Sequence, residues 1–309
     1  LIRIVKPALQ TTVQDLGRHG TRHLGVGTCG AMDSLSLRIG NDLVGNPSDA
    51  AGLELCLPPA TMRFEADSVI SLTGADCAAR LDDREFRTGQ ASSVRAGQML
   101  TLAAAVSGFR TYLCVAGGID VPIVLGSRAT DVQAGIGGLE GRLLRRDDVL
   151  KNGPAEPARP TAMPVLLPRL SLSICALPGP EFEDFEPAAR DALFEAPWTV
   201  TPQSNRMGYR LQGAALSNRR SGEMKSHAVF PGTIQVPPAG APIVLMADAQ
   251  ATGGYPRIGA VIAADLWRLA QIAPGSAIRF VRTDRAGALR ALQRQRSYLQ
   301  RIHRSLHAN

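Results

Sequence analysis

Along this 309-residue chain, short apolar runs recur and each is cut off by a turn residue before it can grow long. "SVISLTGADCAARLDD", "GQMLTLAAAVSGFRTYLCVAGGID", "SLSICALPG", "GYRLQGAAL", "GTIQVPPAGAPIVLMADA" and "GSAIRFVRTD" all show this punctuation. β-Branched and alternating apolar residues between Gly, Pro, Asn and Asp read as many short strands, the pattern of barrels and sandwiches. Helical patterns are fewer. "AMDSLSLRIGNDLVGN" puts Met32, Leu35, Ile39 and Leu43 on one stripe and stops at Gly45-Asn46-Pro47. "PAARDALFEAP", "IGAVIAADLWRLAQIAPG" and the C-terminal segment read as the other helices. The expected fold class is mainly β with a few helices.

The length suits two domains. A proline-rich stretch, "KNGPAEPARPTAMPVLLPRL", has neither helical nor strand periodicity and reads as a linker. The expected division is 1–155, a linker over 156–170, a second domain over 171–285, and a basic helix over 286–309. No run reaches the roughly 18 to 20 apolar residues of a membrane helix, so no membrane is expected. The opening "LIRIVKPALQTTVQDLG" lacks the apolar core of a signal peptide, which predicts a cytoplasmic location.

Five cysteines, at 29, 56, 77, 114 and 175, form no CxxC pair and read as reduced thiols. His19 and His23 stand at helical spacing, but the glycines around them and the want of a third ligand predict no metal site. Net charge is +7, and the stretch 279–309 alone carries eight arginines against one acid, Asp284. The rest of the chain is therefore neutral overall. The basic segment keeps Leu289, Leu292, Leu299, Ile302 and Leu306 at helical spacing, so one face docks and the arginines face water. Neither an aromatic platform nor a nucleic-acid-binding motif accompanies it, so no nucleic-acid partner is expected.

The densest polar signal is "PIVLMADAQATGGYPRIG", where an apolar strand runs into acid, amides, hydroxyl, glycines and tyrosine. The short 237–242 connection returns the chain antiparallel, which predicts that Gln235 approaches the end of "IVLMAD". Gln235, Asp248, Gln250, Thr252 and Tyr255 would then gather at one rim. Asp248 serves there as base or amide orienter, Gln235 and Gln250 read a carbonyl and an N–H, and Gly253 and Gly254 admit a ligand against backbone. "SNRMGYRLQG" adds Asn205 and Arg206, either a site or a tight turn. "LGSRATD" adds Arg128, either an anion ligand or the partner of Asp131. In "TTVQDLGRHGTRHLGVGTCGAMD", glycines 17, 20, 25, 27 and 30 precede a helix, which reads as an anion site or as tight turns. HExxH, the Walker lysine loop and GxSxG are all missing. "GEMKSH" lacks the second methionine of a biotin-attachment hairpin, so Lys225 is a surface lysine and no biotin is expected on this chain.

These segments, together with "GNDLVGN", "SLTGAD", "YLCVAGGID" and "PGTIQVPPAGAPIVLMADAQATGGYPRIG", resemble the KipA-like, allophanate-hydrolase-subunit-2-like family, often labelled biotin-dependent carboxyltransferase. "SHAVFPGTIQVPP" and the basic tail look most like its bacterial 5-oxoprolinase branch, that of the C subunit. The resemblance implies two cyclophilin-like β-barrel domains, a KipI-like partner (the 5-oxoprolinase B subunit), a separate A subunit, and ATP with Mg supplied in the complex. It implies a lactam substrate, 5-oxoproline, activated and then hydrolysed to L-glutamate. Asp248, Gln235 and Gln250 are the expected catalytic residues. Arg128, Asn205, Arg206, Thr252, Gly253, Gly254 and Tyr255 are the expected substrate contacts. Two alternatives stay open, a biotin-dependent carboxyltransferase of the urea carboxylase kind and a non-catalytic KipA-type antagonist of a kinase inhibitor. Cys29, where many relatives have serine, and "MKSHAV" before "FPGTIQ" depart from the carboxyltransferase relatives and argue against urea chemistry.

Overall fold

Alternation in the sequence becomes alternation across sheets in the computed structural model, which describes residues 1–155, 164–219 and 224–307. The chain divides into two compact units, one made of Leu1–His19, Cys29–Arg169 and Tyr298–Asn309, the other of Gly20–Thr28 and Leu170–Ser297.

The first unit holds two antiparallel sheets. One has seven strands in the order Ile119–Asp120, Val149–Asn152, Ile2–Lys6, Ala60–Phe64, Met99–Leu102, Arg80–Leu81 and Arg84–Glu85. The other has five, Gln10–Gln14, Gly52–Cys56, Ser107–Val115, Ser68–Asp76 and Gln90–Val94. Ile2, Ile4, Met62, Phe64, Leu100 and Leu102 project into a shared core with Leu53, Leu55, Leu72 and Leu113, while Arg3 and Arg63 take the other face. Two closed barrels were expected; in this unit, among the described residues, the strands form two open sheets. Neither of its sheets closes, and the larger one ends in two-residue strands that offer too few ladder groups to bridge its edges.

Helix α1, Ser34–Leu43, covers the outer face of the five-stranded sheet. Strand Ser107–Val115 is therefore buried on both sides, with Leu113 and Val115 in the core and Tyr112 and Cys114 under α1. Gly40 permits the approach, since a Cβ there would stand 2.7 Å from Cys114 Sγ. Burial pushes the Cys114 thiol up to about 12. Asp33 caps α1, accepting from Ser36 N at 2.8 Å and Ser36 Oγ at 2.6 Å. Asp33→Ala is expected to cost about 1–2 kcal/mol in urea unfolding, with Asp33→Asn retaining most of the stability. Equal stability of the alanine and asparagine variants would refute the capping role.

The second unit contains a closed seven-stranded barrel: Ser173–Pro178, Arg257–Val261, Thr233–Gln235, Ile243–Leu245, Gly208–Gln212, Trp198–Val200 and Ala277–Arg282. A parallel pairing of the first and last strands closes it. Ile174, Trp198, Tyr209, Ile234, Val244, Ile258 and Phe280 fill it. Helix α2, Pro187–Glu195, buries Leu193, whose carbonyl accepts from Trp198 Nε1 at 3.0 Å. The sequence pattern predicts one helix from Ile258 onward, whereas Arg257–Val261 is a barrel strand and only Leu266–Ala270 forms helix α3. Arg257–Val261 sits between two strands of the barrel, so pairing on both edges overrides a run that local propensity leaves ambiguous. A ribbon of His227–Ala228 and Thr252–Gly253 stands apart from the barrel ladder.

Helix α4 spans Arg285–His307 with Ile302 buried and Leu289 exposed. Of the expected linker, residues 156–163 lie outside the described residues. Beyond them the chain is tied down, with Val165 N donating to Gly89 O at 2.8 Å and Tyr298 Oη to Leu166 O at 2.6 Å. Among the described residues no helix is long and apolar enough to cross a membrane.

Candidate functional site

The hairpin of the second unit returns antiparallel as its sequence predicts, through a turn in which Gly240 N donates to Pro237 O at 2.9 Å. Its register changes what the polar residues meet. Gln235 stands opposite Ile243, at the turn end, whereas Asp248 follows the other end of the returning strand. The hairpin therefore does not bring Gln235 to the end of "IVLMAD". The polar residues divide into two groups.

Gln235, buried, belongs to the first. Its Nε2 donates to Tyr255 O at 3.2 Å, and its neighbour across the other strand is Arg257. Gly253 lies close beside it, and a Cβ there would come 2.8 Å from Gln235 Nε2, so a larger residue would have to displace the Gln235 amide. Tyr255, half exposed, and Gly254 line a groove of about 700 Å³ together with Leu216, Val236, Pro237 and Pro256. Gln235 thus sets the backbone behind the groove wall. Arg257, which sequence reasoning passed over, pairs with Glu181 through Nε at 2.8 Å and Nη2 at 2.6 Å. Burial acts to raise the Glu181 carboxyl, but hydrogen bonds from Arg257 outweigh it and hold the group below its ordinary range. His227 adds positive potential to the same acid, and its Nε2 has no hydrogen-bond partner among the described residues.

The second group centres on Arg206 and Asp248. Nε reaches Oδ2 and Nη2 reaches Oδ1, each at 2.8 Å, with only 10% and 11% of the two side chains exposed. Asp248 N also donates to Arg206 O at 2.9 Å, so the pair locks the loop to the strand entry. Asp248 is committed through both oxygens. Asn205 resolves as a turn, its Oδ1 accepting from Met207 N at 2.9 Å and Gly208 N at 3.3 Å. Gln250 and Thr252 are exposed, and the Gln250 carbonyl accepts from Arg22 Nη2 at 2.9 Å. Arg22 also donates to Val229 O, a role that no local motif announces.

Arg128 belongs to the first unit. It pairs with Asp120 at 3.3 Å, and not with Asp131, while its Nε donates to Val121 O at 3.0 Å. Asp15, from the glycine-rich segment, organises this loop by accepting from Ser127 Oγ at 2.6 Å, from Gly17 N at 2.8 Å and from Arg128 N. Asp15, Asn46, Gly117, Asp120 and Arg128 line a cavity of about 550 Å³. Gly117 is fixed by a close crossing, since a Cβ would meet Gly153 O at 2.2 Å. The helix that follows the glycines is capped by its own Asp33, which favours the turn reading of that segment over an anion site.

The family described as carboxyltransferase domain, subdomain A and B, matches residues 24–282. The 5-oxoprolinase C subunit of Escherichia coli is 49% identical over 307 residues, covering 99% of both chains. The Haemophilus influenzae protein of the same name is 41% identical, covering 98% of both. Urea amidolyase of Lachancea kluyveri is 33% identical, but 90% of this chain matches only 17% of that protein. The crystal structure of Kluyveromyces lactis urea amidolyase superposes with a TM-score of 0.90 at 29% identity, covering 97% of this chain and 20% of that one. A family match across most of the chain, joined to end-to-end likeness with the two bacterial proteins, settles the lineage: the chain belongs to the carboxyltransferase domain, subdomain A and B, family, alongside the C subunits of bacterial 5-oxoprolinase.

Proposed function

We propose that the chain is the C subunit of an ATP-dependent 5-oxoprolinase, acting with a KipI-like B subunit, and with an A subunit, in the hydrolysis of 5-oxoproline to L-glutamate. The observation that carries this reading is the end-to-end similarity to two bacterial 5-oxoprolinase C subunits. Urea amidolyases share the fold but extend far beyond it, so carboxyl transfer to urea is the second reading, supported by the structural likeness and by a lower sequence identity over a small part of those proteins.

A lactam is a poor electrophile, and a phosphoryl group transferred from the co-substrate ATP to its carbonyl oxygen, with ADP departing, creates a leaving group. In this reading the groove takes the apolar ring against Tyr255 and Pro256, with the Gly254 backbone as its wall and Gly253 behind it beside Gln235. Gln235 positions that wall through Tyr255 O, while Asp248 acts through Arg206 on the loop bearing Gln250 and Thr252. Arg128 is the guanidinium available to an anion in the first unit's own cavity, because its side chain remains 35% exposed. In this reading ATP and Mg act in the assembled complex.

Purified A and B subunits, mixed with this chain, 5-oxoproline, ATP and Mg, are expected to release glutamate only when all three proteins are present. Tyr255→Ala should lower kcat/KM about tenfold, the loss of an aromatic contact worth about 1–2 kcal/mol, without changing Tm. Full activity with this chain omitted would defeat the assignment. Carboxylation of urea in the presence of a biotinylated carrier would replace it with the second reading.

A further inference from the structure

Helix α4 carries His303 and His307 one turn apart, with ring centroids 4.4 Å from each other. Both rings turn to one carboxylate oxygen on the last turn of α1. His303 Nδ1 lies 2.7 Å and His307 Nε2 3.0 Å from Asp42 Oδ1. The three ligand atoms fall within 4.8 Å of one another, the one such grouping of three among the described residues. All three residues belong to the first unit.

We propose that Asp42, His303 and His307 form a binding site for a divalent transition-metal cation of the zinc class. Two imidazoles and a carboxylate are the donor set of open tetrahedral zinc sites, with water in the remaining position. Metal–ligand bonds of about 2.0–2.2 Å separate tetrahedral ligand atoms by about 3.4 Å. The observed 2.7 and 3.0 Å need to widen by about 0.7 and 0.4 Å to reach that spacing. The histidines can supply this, being 65% and 44% exposed, while Asp42 is anchored at 18%. Imidazole donors select zinc, cobalt, nickel and copper over magnesium and calcium.

Charge around the site acts in both directions. His307 lies in the last turn of α4, where the negative end of the helix dipole favours a cation. Arg38 and Arg304, which line the adjoining recess of about 440 Å³, oppose it. That opposition is partial, because Arg38 is directed to Ser48 Oγ at 3.2 Å and the carboxylate stands between the rings. A bound ion would fasten the end of α4 to α1, a role independent of the proposed reaction.

The test uses the full chain without a polyhistidine tag, stripped with chelator and titrated with Co²⁺ or Zn²⁺ alone. One equivalent of Co²⁺ should bind with the visible absorption of a low-coordinate site, and Zn²⁺ should displace it and raise Tm. His303→Gln and His307→Gln keep a polar group beside Asp42 but remove the imidazole ligand, and each should weaken binding at least tenfold. Asp42→Asn should weaken it as well. Lack of saturable binding at one equivalent would overturn the proposal. So would unchanged affinity in both glutamine variants, which would assign the ion to His19, His23 or Cys175 instead.

Discussion

Asp248→Ala is expected to destabilise the chain by about 3–5 kcal/mol, and Arg206→Ala by a similar amount, because each leaves the other charge buried and unpaired. The double variant Arg206→Met/Asp248→Leu should recover most of that loss. The reason lies in the two opposed terms of a buried ion pair. Desolvation is severe for both groups, since barely a tenth of either side chain meets water, and the bidentate geometry at 2.8 Å repays it only while both partners are present. Urea unfolding of the parent, the two alanine variants and Arg206→Ala/Asp248→Ala closes a double-mutant cycle with a large coupling energy, while the Met/Leu variant tests the apolar replacement. Single variants within about 1 kcal/mol of the parent would refute the buried-pair argument. The same set separates structure from catalysis in the reconstituted reaction. If Asp248 serves only to hold Arg206 and its loop, activity should follow folded protein across the series. If it takes a proton, the stable double variant remains inactive.

That pair also marks where sequence reading reaches its limit. The strand-rich character is visible locally, because alternation and turn residues sit within each segment. Closure of the second unit is not, since it depends on Ser173–Pro178 meeting Ala277–Arg282 in parallel. The first unit's strands carry the same local pattern and leave their sheets open. The 237–242 connection announces an antiparallel return, but its length does not fix the register that sets Gln235 against Ile243. Arg206 and Asp248, each visible as a polar residue near a strand end, give no sign of being one another's partner 42 positions apart. Glu181 and Arg257 are harder still. Arg257 carries no local signal in "GGYPRIG", and the folded barrel brings Glu181 to it from 76 positions away. Similarly, Asp15 looks like one polar residue among glycines until the Ser127–Arg128 loop folds onto it.

The largest structural penalty in the first unit is expected at Glu54. Only 2% of this residue is exposed, yet its Oε2 accepts from Tyr112 Oη at 2.6 Å and from Met32 N at 2.8 Å, and its Oε1 faces Arg110 Nε at 3.6 Å. Tyr112 Oη in turn accepts from Asp33 N at 2.7 Å, which carries the network to the cap of α1. Complete burial, and then the Glu54 charge, push the Tyr112 phenol well above its ordinary value, so it stays protonated and keeps donating. Glu54→Ala withdraws the acceptor from Tyr112 Oη and Met32 N and the counter-charge from a buried arginine, and should cost about 3–5 kcal/mol. Tyr112→Phe removes one hydroxyl and should cost less, about 1–3 kcal/mol. Glu54→Leu restores volume without restoring an acceptor, so it should remain close to the alanine variant. Urea unfolding ranks the three, and near-ultraviolet circular dichroism reports whether α1 stays seated over Tyr112. A leucine variant as stable as the parent would show that packing, and not the carboxylate, holds this helix to the sheet.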